Sequence, residues 1–381
     1  MTDLATRTTL RVGGRAEHLV PVGRRDELVA ALVAAGARGD GLFVLGSGSN
    51  LVVSDAGVPG TVVHVVGGRI GRRIGNGAVE LTVDAGVAWD ELVETSVELG
   101  VGGIELLSGI PGTVGAAPVQ NIAAYGQQVC DVIESVGTFD TATATLAEQP
   151  PEECGFGYRT SRFKADWLDR MVITHVRLRL PLAGAQPPKP STYGDVVRHF
   201  ESNGGDPTDL ADRRRAVLAV RTAKSMVLDD SDPMSRSAGS FFMNPEVPAA
   251  LADDLIERFS ARGLDVQYLE GQRAARPEAV TRRVPAALVL RASGFRPGDR
   301  WGPVQLSDKH VLAIVTHEGA TADDVWQLSH FVRNRVLDET GVELHPEPRF
   351  VGEFDDADVA AFQSRHAFSP GLSTDPSWLR T

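Results

Sequence analysis

A protein of mixed helix and strand, in two or three domains, is predicted by three features of the sequence. The chain has 381 residues, against roughly 100–200 residues for a typical domain. Its composition, 42% hydrophobic and 23% charged, is that of an ordinary globular protein. Short apolar runs of strand type alternate with stretches of helical periodicity along the whole chain.

Over residues 1–67 the periodicity predicts a strand at His18–Val22 and buried strands at Leu42–Leu45 and Thr61–Val66. Leu28, Leu32 and Ala35 recur at helical spacing behind Asp26, a candidate N-cap. Between the later strands lies Gly46-Ser47-Gly48-Ser49-Asn50, followed by Leu51-Val52-Val53. Successive N–H groups in such a loop form an anion-binding nest, and a plain turn fits as well. It is not the dinucleotide fingerprint, because the third glycine is missing and no helix obviously follows.

From 68 to 210, Val79, Leu81 and Val83 alternate with polar residues as a half-buried strand. Trp89–Leu99 reads as an amphipathic helix that Gly100 stops. Strands follow near Val132–Phe139 and Met171–Leu180. The stretch Gly109–Gly126 stands apart from ordinary helix or strand text. Pro111 sits where a helix can begin, and Gly112 and Gly115 leave room for something to approach the backbone. The first turn of such a helix is a seat for phosphate. Gln120 and Asn121 add amides that could hydrogen-bond a flat heteroaromatic ring. A tightly packed helix-turn with glycines for close contact is the alternative. The loop Cys154–Lys164 presents Tyr158 and Arg159 between glycines, either for a ligand or as a surface turn. Gln186–Pro190 is a stiff Pro-rich connection, and Ser191–Asp195 follows it.

The third segment opens on a helix from Asp209 to about Val227, carrying Arg221 and Lys224. A polar run, Asp229–Ser237, leads into Ala238–Pro245, where Ser240 follows a glycine and Asn244 precedes a proline. Helices are expected over Ala249–Arg262 and from Thr321 to about Glu339, and a strand over Val311–Val315 just after His310. Val342–Phe350 closes the compact part with Glu347 between two prolines. Beyond Phe354 a tail with Pro370 and Pro376 reads as a short helix plus loose coil.

The totals exclude several classes. Net charge is −12, which argues against nucleic acid or an anionic membrane as partner. Cys130 and Cys154 are too few for a disulfide scaffold or a cysteine zinc site. No signal-like or membrane-spanning run occurs, so a reduced, cytoplasmic protein is expected. The nine His are scattered without metal-ligand spacing, and no metal is expected. Neither a nucleophile elbow nor a Walker A loop is present.

The order of the polar motifs resembles one family. Residues 46–50 (GSGSN), 110–126 (IPGTVGAAPVQNIAAYG), 156–164 (FGYRTSRFK), 192–195 (TYGD), 221–224 (RTAK), 239–245 (GSFFMNP) and 345–352 (HPEPRFVG) are similar to the motifs of the UDP-N-acetylenolpyruvoylglucosamine reductase (MurB) family. The TYGD motif resembles its type I branch, in which a tyrosine loop closes over the substrate. The resemblance covers about residues 6–353. It implies an α+β fold, with a two-part FAD-binding region of the vanillyl-alcohol-oxidase-like (PCMH-type) architecture and a third, α/β substrate-binding domain. The implied boundaries are 1–67, closed by the strand near 347–354, then 68–210 and 211–346, with 355–381 as a tail.

The implied reaction reduces the enolpyruvyl double bond of a UDP-sugar to a lactyl ether, with FAD relaying hydride from NADPH, in peptidoglycan precursor synthesis. The resemblance assigns FAD to Gly46, Ser47, Gly48, Ser49, Asn50, Pro111, Gly112, Gly115, Gln120, Asn121, Tyr125 and Arg221. It assigns catalysis to Arg159, Ser240 and Glu347, and substrate binding to Tyr158, Tyr193, Lys224, Asn244 and His310. It implies a monomer in which NADPH and substrate alternate in one pocket, which explains why no second dinucleotide motif appears. Departures from the family pattern are Ala123 in place of a usual glycine, the 225–237 stretch, Pro285–Leu290 where a helix typically carries Trp and Ile, His345 in place of an acidic residue, and the longer tail. A paralogue reducing another enolpyruvyl or nucleotide-linked alkene, a non-catalytic flavin- or nucleotide-binding protein, and a covalent flavin oxidase are the alternatives. His18 and His64 lack the context of the last.

Overall fold

Thr61 to Val65 are buried one after another, so this run, apolar but for Thr61 and His64, belongs to a strand covered on both faces. They belong to the strand Val58–Val65, which pairs in parallel with Arg15–Val22 on one side and Leu42–Leu45 on the other. The molecule is described here from a computed structural model covering residues 2–75, 77–186 and 188–371. Pro187 of the Pro-rich connection and Pro376 of the tail lie outside the described residues. The chain divides into two compact units. The first takes residues up to 7, 15–49 and 57–229, and the second takes 8–14, 50–56 and the chain from 230 onward. Helices and sheets of both hands of pairing make the protein α+β, as the sequence predicts.

In the first unit the helix Arg25–Arg38 buries Leu28, Leu32 and Ala35. These are the three residues whose spacing announced it. Its N-cap is Arg24 rather than Asp26. The chain is still extended at Arg24, so Asp26 falls in the first turn, where a carboxylate meets the positive end of the helix dipole. The larger sheet is antiparallel in the order Thr145–Gln149, Ile133–Asp140, Met171–Pro181, Ala78–Asp84, Ile70–Gly75. Its two outer strands are exposed almost throughout. They therefore lack the apolar alternation that would have revealed them. Val79, Leu81 and Val83 point into a core shared with Trp89, Leu92 and Val93 of the helix Trp89–Glu98. Gly100, with φ +69°, ends that helical segment.

The helix Gly194–Asn203 went unannounced, since Val196 is its one buried residue. It packs beside Leu210–Ala223, whose N-cap Asp209 accepts the Asp212 N–H at 2.9 Å. The latter stops at Ala223, short of the expected 227, because Ser225 takes a left-handed φ of +53°.

In the second unit Leu51–Val53 pairs in parallel with Arg349–Val351. A four-stranded antiparallel sheet runs Ile314–Thr316, Val304–Leu306, Arg300–Trp301, Phe368–Ser369. The core contains Phe241, Phe242, Phe259 and Phe362 together with Val325, Leu328, Val332 and Val336 of the helix Ala322–Thr340. That helix is opened by Thr321, whose hydroxyl accepts the Asp324 N–H at 3.1 Å. The strand expected over 311–315 begins only at Ile314, because the Ala313 N–H closes a turn on the His310 carbonyl at 2.9 Å. The tail, expected as a helix plus loose coil, is more firmly built over its described residues, 355–371. Its helix Val359–Arg365 buries Phe362, its residues Phe368–Ser369 add the edge strand, and His366 pairs with Asp324 at 2.8 Å. Among the described residues no helix is long and apolar enough to cross a membrane.

Candidate active site

In the first unit the two Gly-rich stretches meet. Ser49 Oγ donates to the Pro111 carbonyl at 3.0 Å, and Ser47 Oγ lies 3.2 Å from Ser49 Oγ. A Cβ added to Gly46 would come within 2.9 Å of Thr113 Oγ1, so the loops approach as closely as backbones allow. Gly48 and Gly112 hold φ of +64° and +150°, conformations that L side chains rarely adopt. Pro111 does not start a helix, contrary to expectation: Thr113 bridges Ala88 and residues 114–121 run as successive turns. The N–H groups of Val114 and Gly115 bond the carbonyls of Val87 and Ala85 instead, at 2.9 and 2.8 Å. Gly115 thus serves close packing, since a Cβ there would meet that of Ala85 at 2.6 Å.

Arg221 lies beside this floor. Its Nη2 donates to the Met226 carbonyl at 2.7 Å, and its Nε is buried with no hydrogen-bond partner among the described residues. A Cβ on Gly109, at the head of the Gly-rich stretch, would lie 3.5 Å from that nitrogen. Burial pushes the guanidinium down from its ordinary value, opposed by the Tyr125 hydroxyl and Asp90, while the nearby Arg159 adds to the depression. Burial likewise pushes the Tyr125 hydroxyl up, with Arg221 acting the other way. A buried guanidinium with its Nε–H unmet beside a loop of glycines is a fit for an anionic cofactor, which would complete its hydrogen bonds.

Tyr158 and Arg159 form the tip of a two-residue hairpin closed by the Gly157 and Thr160 backbones at 3.0 and 3.4 Å. Arg159 itself sits at φ +53°. The hairpin is held from beneath by Asn121. Its amide donates to the Gly157 carbonyl at 3.1 Å and to Gln128 Oε1 at 3.2 Å, and its oxygen accepts the Cys130 N–H at 3.1 Å. Both donors of an amide expected to face a ring are thereby engaged inside the protein. Asn121→Ala is expected to lower the unfolding free energy by about 2 kcal/mol by orphaning the two partly buried backbone groups. Asn121→Gly should cost about 1 kcal/mol less, because Asn121 lies at φ +46°. Equal urea midpoints for the two variants would show that the left-handed backbone stores no strain.

Tyr193 precedes the helix Gly194–Asn203 and sets its ring edge-on to Tyr125, 5.4 Å between centroids. Ser191 Oγ ties the same segment down, reaching the Tyr125 carbonyl at 3.5 Å and accepting the Tyr193 N–H at 3.2 Å. Lys224, C-cap of the helix Leu210–Ala223, is paired with Asp195. Gln120 is half-buried on the same stretch of turns. Ala123 lies in a short hairpin strand opposite Gln128, an extended position that accepts a methyl in place of the family's usual glycine.

In the second unit the segment 237–243 is held between two neighbours. Ser237 bridges Val315, the Phe241 N–H bonds the Leu312 carbonyl at 2.8 Å, and Phe242 bridges Pro346. The Glu347 N–H bonds the Phe241 carbonyl at 2.8 Å. That register sets Ser240 and Glu347 on adjacent segments, with Phe241 and Phe242 buried beneath as anchors. Asn50 fixes the Glu347 side: its amide donates to the Glu347 carbonyl at 3.3 Å and its own carbonyl accepts the Arg349 N–H at 3.0 Å. Asn244 accepts the Ala286 N–H at 2.8 Å and so caps the helix Ala286–Ala292, within the altered 285–290 stretch. His310 Nδ1 accepts the Leu312 N–H at 3.1 Å. Both side chains hold turns of the scaffold.

Comparison with known proteins supplies the affiliation. Residues 232–351 match the family model "UDP-N-acetylenolpyruvoylglucosamine reductase, C-terminal domain", and residues 16–148 match "FAD binding domain". The UDP-N-acetylenolpyruvoylglucosamine reductase of Thermobifida fusca is 40% identical, over 92% of this chain and 96% of its own length. The chain belongs to the UDP-N-acetylenolpyruvoylglucosamine reductase family. The Salinispora arenicola reductase is 42% identical over 91% of this chain and 94% of its own. The structure titled UDP-N-acetylenolpyruvylglucosamine reductase from Thermus caldophilus superposes with a TM-score of 0.60 at 26% identity, covering 92% of this chain and 98% of that one. Within a reductase of this family, two acids lay outside the expected site residues: Asp90, and Asp195 at the end of the TYGD motif. Asp90 clamps the Gly109 N–H at 2.6 Å and Arg214 through both carboxylate oxygens at 2.6 and 2.9 Å. As one helix-start acid among many, it gives no local signal.

Proposed function

We propose that this chain is an FAD-dependent, NADPH-consuming reductase that converts UDP-N-acetylglucosamine enolpyruvate to UDP-N-acetylmuramate for peptidoglycan precursors. When bound, FAD supplies hydride, taken from NADPH, to C3 of the enolpyruvyl group. In this reading the Gly46–Ser49 and Pro111–Gly112 loops, with Gln120, Tyr125 and Arg221, hold the cofactor. Asn121 and Gly115 act by fixing those loops, and Asn50 by fixing the segment of Glu347. Residues 1–67 and 68–210 remain the flavin-holding parts and 211–346 the substrate-binding part.

Addition of hydride at C3 builds negative charge at C2 and on the carboxylate. Arg159 meets it, since a guanidinium can grip a carboxylate with two parallel bonds. Glu347 helps polarise the enol, and the Ser240 hydroxyl delivers the proton to C2, supported by its rigid turn. Tyr193 and Lys224 bind the diphosphate. Tyr158 lines the pocket, and Asn244 and His310 shape it through the turns they hold. NADPH and the UDP-sugar occupy the same face of the cofactor in turn. The protein is read as a cytoplasmic monomer.

The observation that carries this reading is the Glu347 to Phe241 hydrogen bond at 2.8 Å, which sets the proposed acid-handling side chains on neighbouring segments. The test is anaerobic stopped-flow absorbance. Reduction of bound flavin by NADPH, followed by rapid reoxidation on adding UDP-N-acetylglucosamine enolpyruvate, is expected. Reduction without reoxidation would overturn the substrate, and failure to bind FAD would overturn the whole reading.

A further inference from the structure

Asp195 is the acidic member of an otherwise cationic group in the first unit. Its carboxylate accepts from both Lys224 Nζ and Arg198 Nη2, and it is half-buried, with its side chain 26% exposed. Lys224 is 37% exposed, so the pair lies where a ligand can reach it. The segment leading into Asp195 is tied down at Ser191 and at the Tyr193–Tyr125 ring contact. Asp195 is therefore delivered to Lys224 by an anchored element, not by a drifting loop. Burial raises its carboxyl, but Lys224 and Arg198 more than offset this and hold it below the ordinary carboxylate value.

A cation already paired with a carboxylate is a poorer partner for a second anion. We propose that Asp195 is a positioning residue that occupies Lys224 before substrate arrives, so that the incoming diphosphate must displace an internal anion. The consequence is selectivity. A single phosphate or carboxylate cannot compete with a well-placed, partly buried carboxylate, whereas a diphosphate brings more charge and more acceptors. Displacement also frees Asp195 to pair with Arg198 alone, three residues along the same helix. This inference rests on the diphosphate role given to Lys224 above.

The test is calorimetric titration of the FAD-loaded protein with UDP, a readout that needs no turnover. Asp195→Asn should bind UDP about tenfold tighter, equivalent to about 1.4 kcal/mol. Asp195→Ser, which keeps a hydroxyl in the first helical turn without the charge, should do the same if the Asn variant folds poorly. In a Lys224→Met background the Asp195→Asn change should have little effect, because the cation it controls is gone. A merely structural role for Asp195 would weaken UDP binding in both variants, and that result, or unchanged binding, overturns the proposal. Tightening that persists without Lys224 also overturns it, since it would reflect net charge alone. If the unaltered protein does not bind UDP at all, the diphosphate reading of Lys224 falls first, and this inference with it.

Discussion

Ser240→Ala is expected to leave flavin reduction by NADPH near normal and to slow reoxidation by the enolpyruvyl substrate by about 10²–10⁴-fold, the range of a general acid's contribution. The split follows from where the proton is needed. In the proposed mechanism, reduction of the cofactor requires nothing from the Ser240 hydroxyl, whereas completing the lactyl ether requires a proton at C2. The turn that presents Ser240 is rigid: Gly239 lies at φ +69°, and Phe241 and Phe242 are buried. Removing one oxygen should therefore not disturb neighbouring backbone bonds. Stopped-flow traces of the two half-reactions decide the matter. A parallel loss in both would assign Ser240 to cofactor binding, and an unaffected second half-reaction would pass the proton to another donor.

Arg213→Met should produce the largest loss of stability, about 3–5 kcal/mol, as when one partner of a buried ion pair is removed. Arg213 and Glu105 are essentially without solvent, at 3% and 0% exposure. Glu105 accepts from Arg213 Nε at 2.8 Å, from Gln127 Nε2 at 2.8 Å and from the Gly103 N–H at 2.7 Å. Arg213 also donates to the carbonyls of Lys189 and Pro207 at 2.7 and 2.9 Å. The network pins the helix that carries Arg221 and Lys224 to the start of the Gly-rich stretch. Its loss should lower both thermal stability and FAD affinity. Adding Glu105→Gln to Arg213→Met should recover about half of the loss, because the uncompensated charge disappears. Urea unfolding of the single and double variants measures this. A double variant no better than the single would show that shape, not buried charge, sets the cost.

Much of this architecture was legible before any coordinates. Strands covered on both faces, such as Val58–Val65, and helices with one apolar stripe, such as Ala322–Thr340, carry their burial in their residue order. The edge strands Ile70–Gly75 and Thr145–Gln149 were invisible for the opposite reason: they bury almost nothing. The Gly-rich loops, the Arg159 loop and the Ser240 turn were found because glycine beside polar residues is costly unless the backbone needs it.

What the sequence determined by itself is the inventory: the family, the cofactor class, and the short polar motifs in their order. Those depend on residue identity and local conformation, which neighbours along the chain dictate. What only the tertiary structure decided is which polar groups are occupied within the protein. Asn121 braces a hairpin, Asn244 caps a helix, Gly115 permits close packing, and Asp195 holds Lys224. Each partner lies about thirty or more residues away, apart from those of Asn121 nearer in sequence. A side chain's hydrogen bonds are set by what the fold brings within 3 Å of it, and spacing along the chain does not contain that distance.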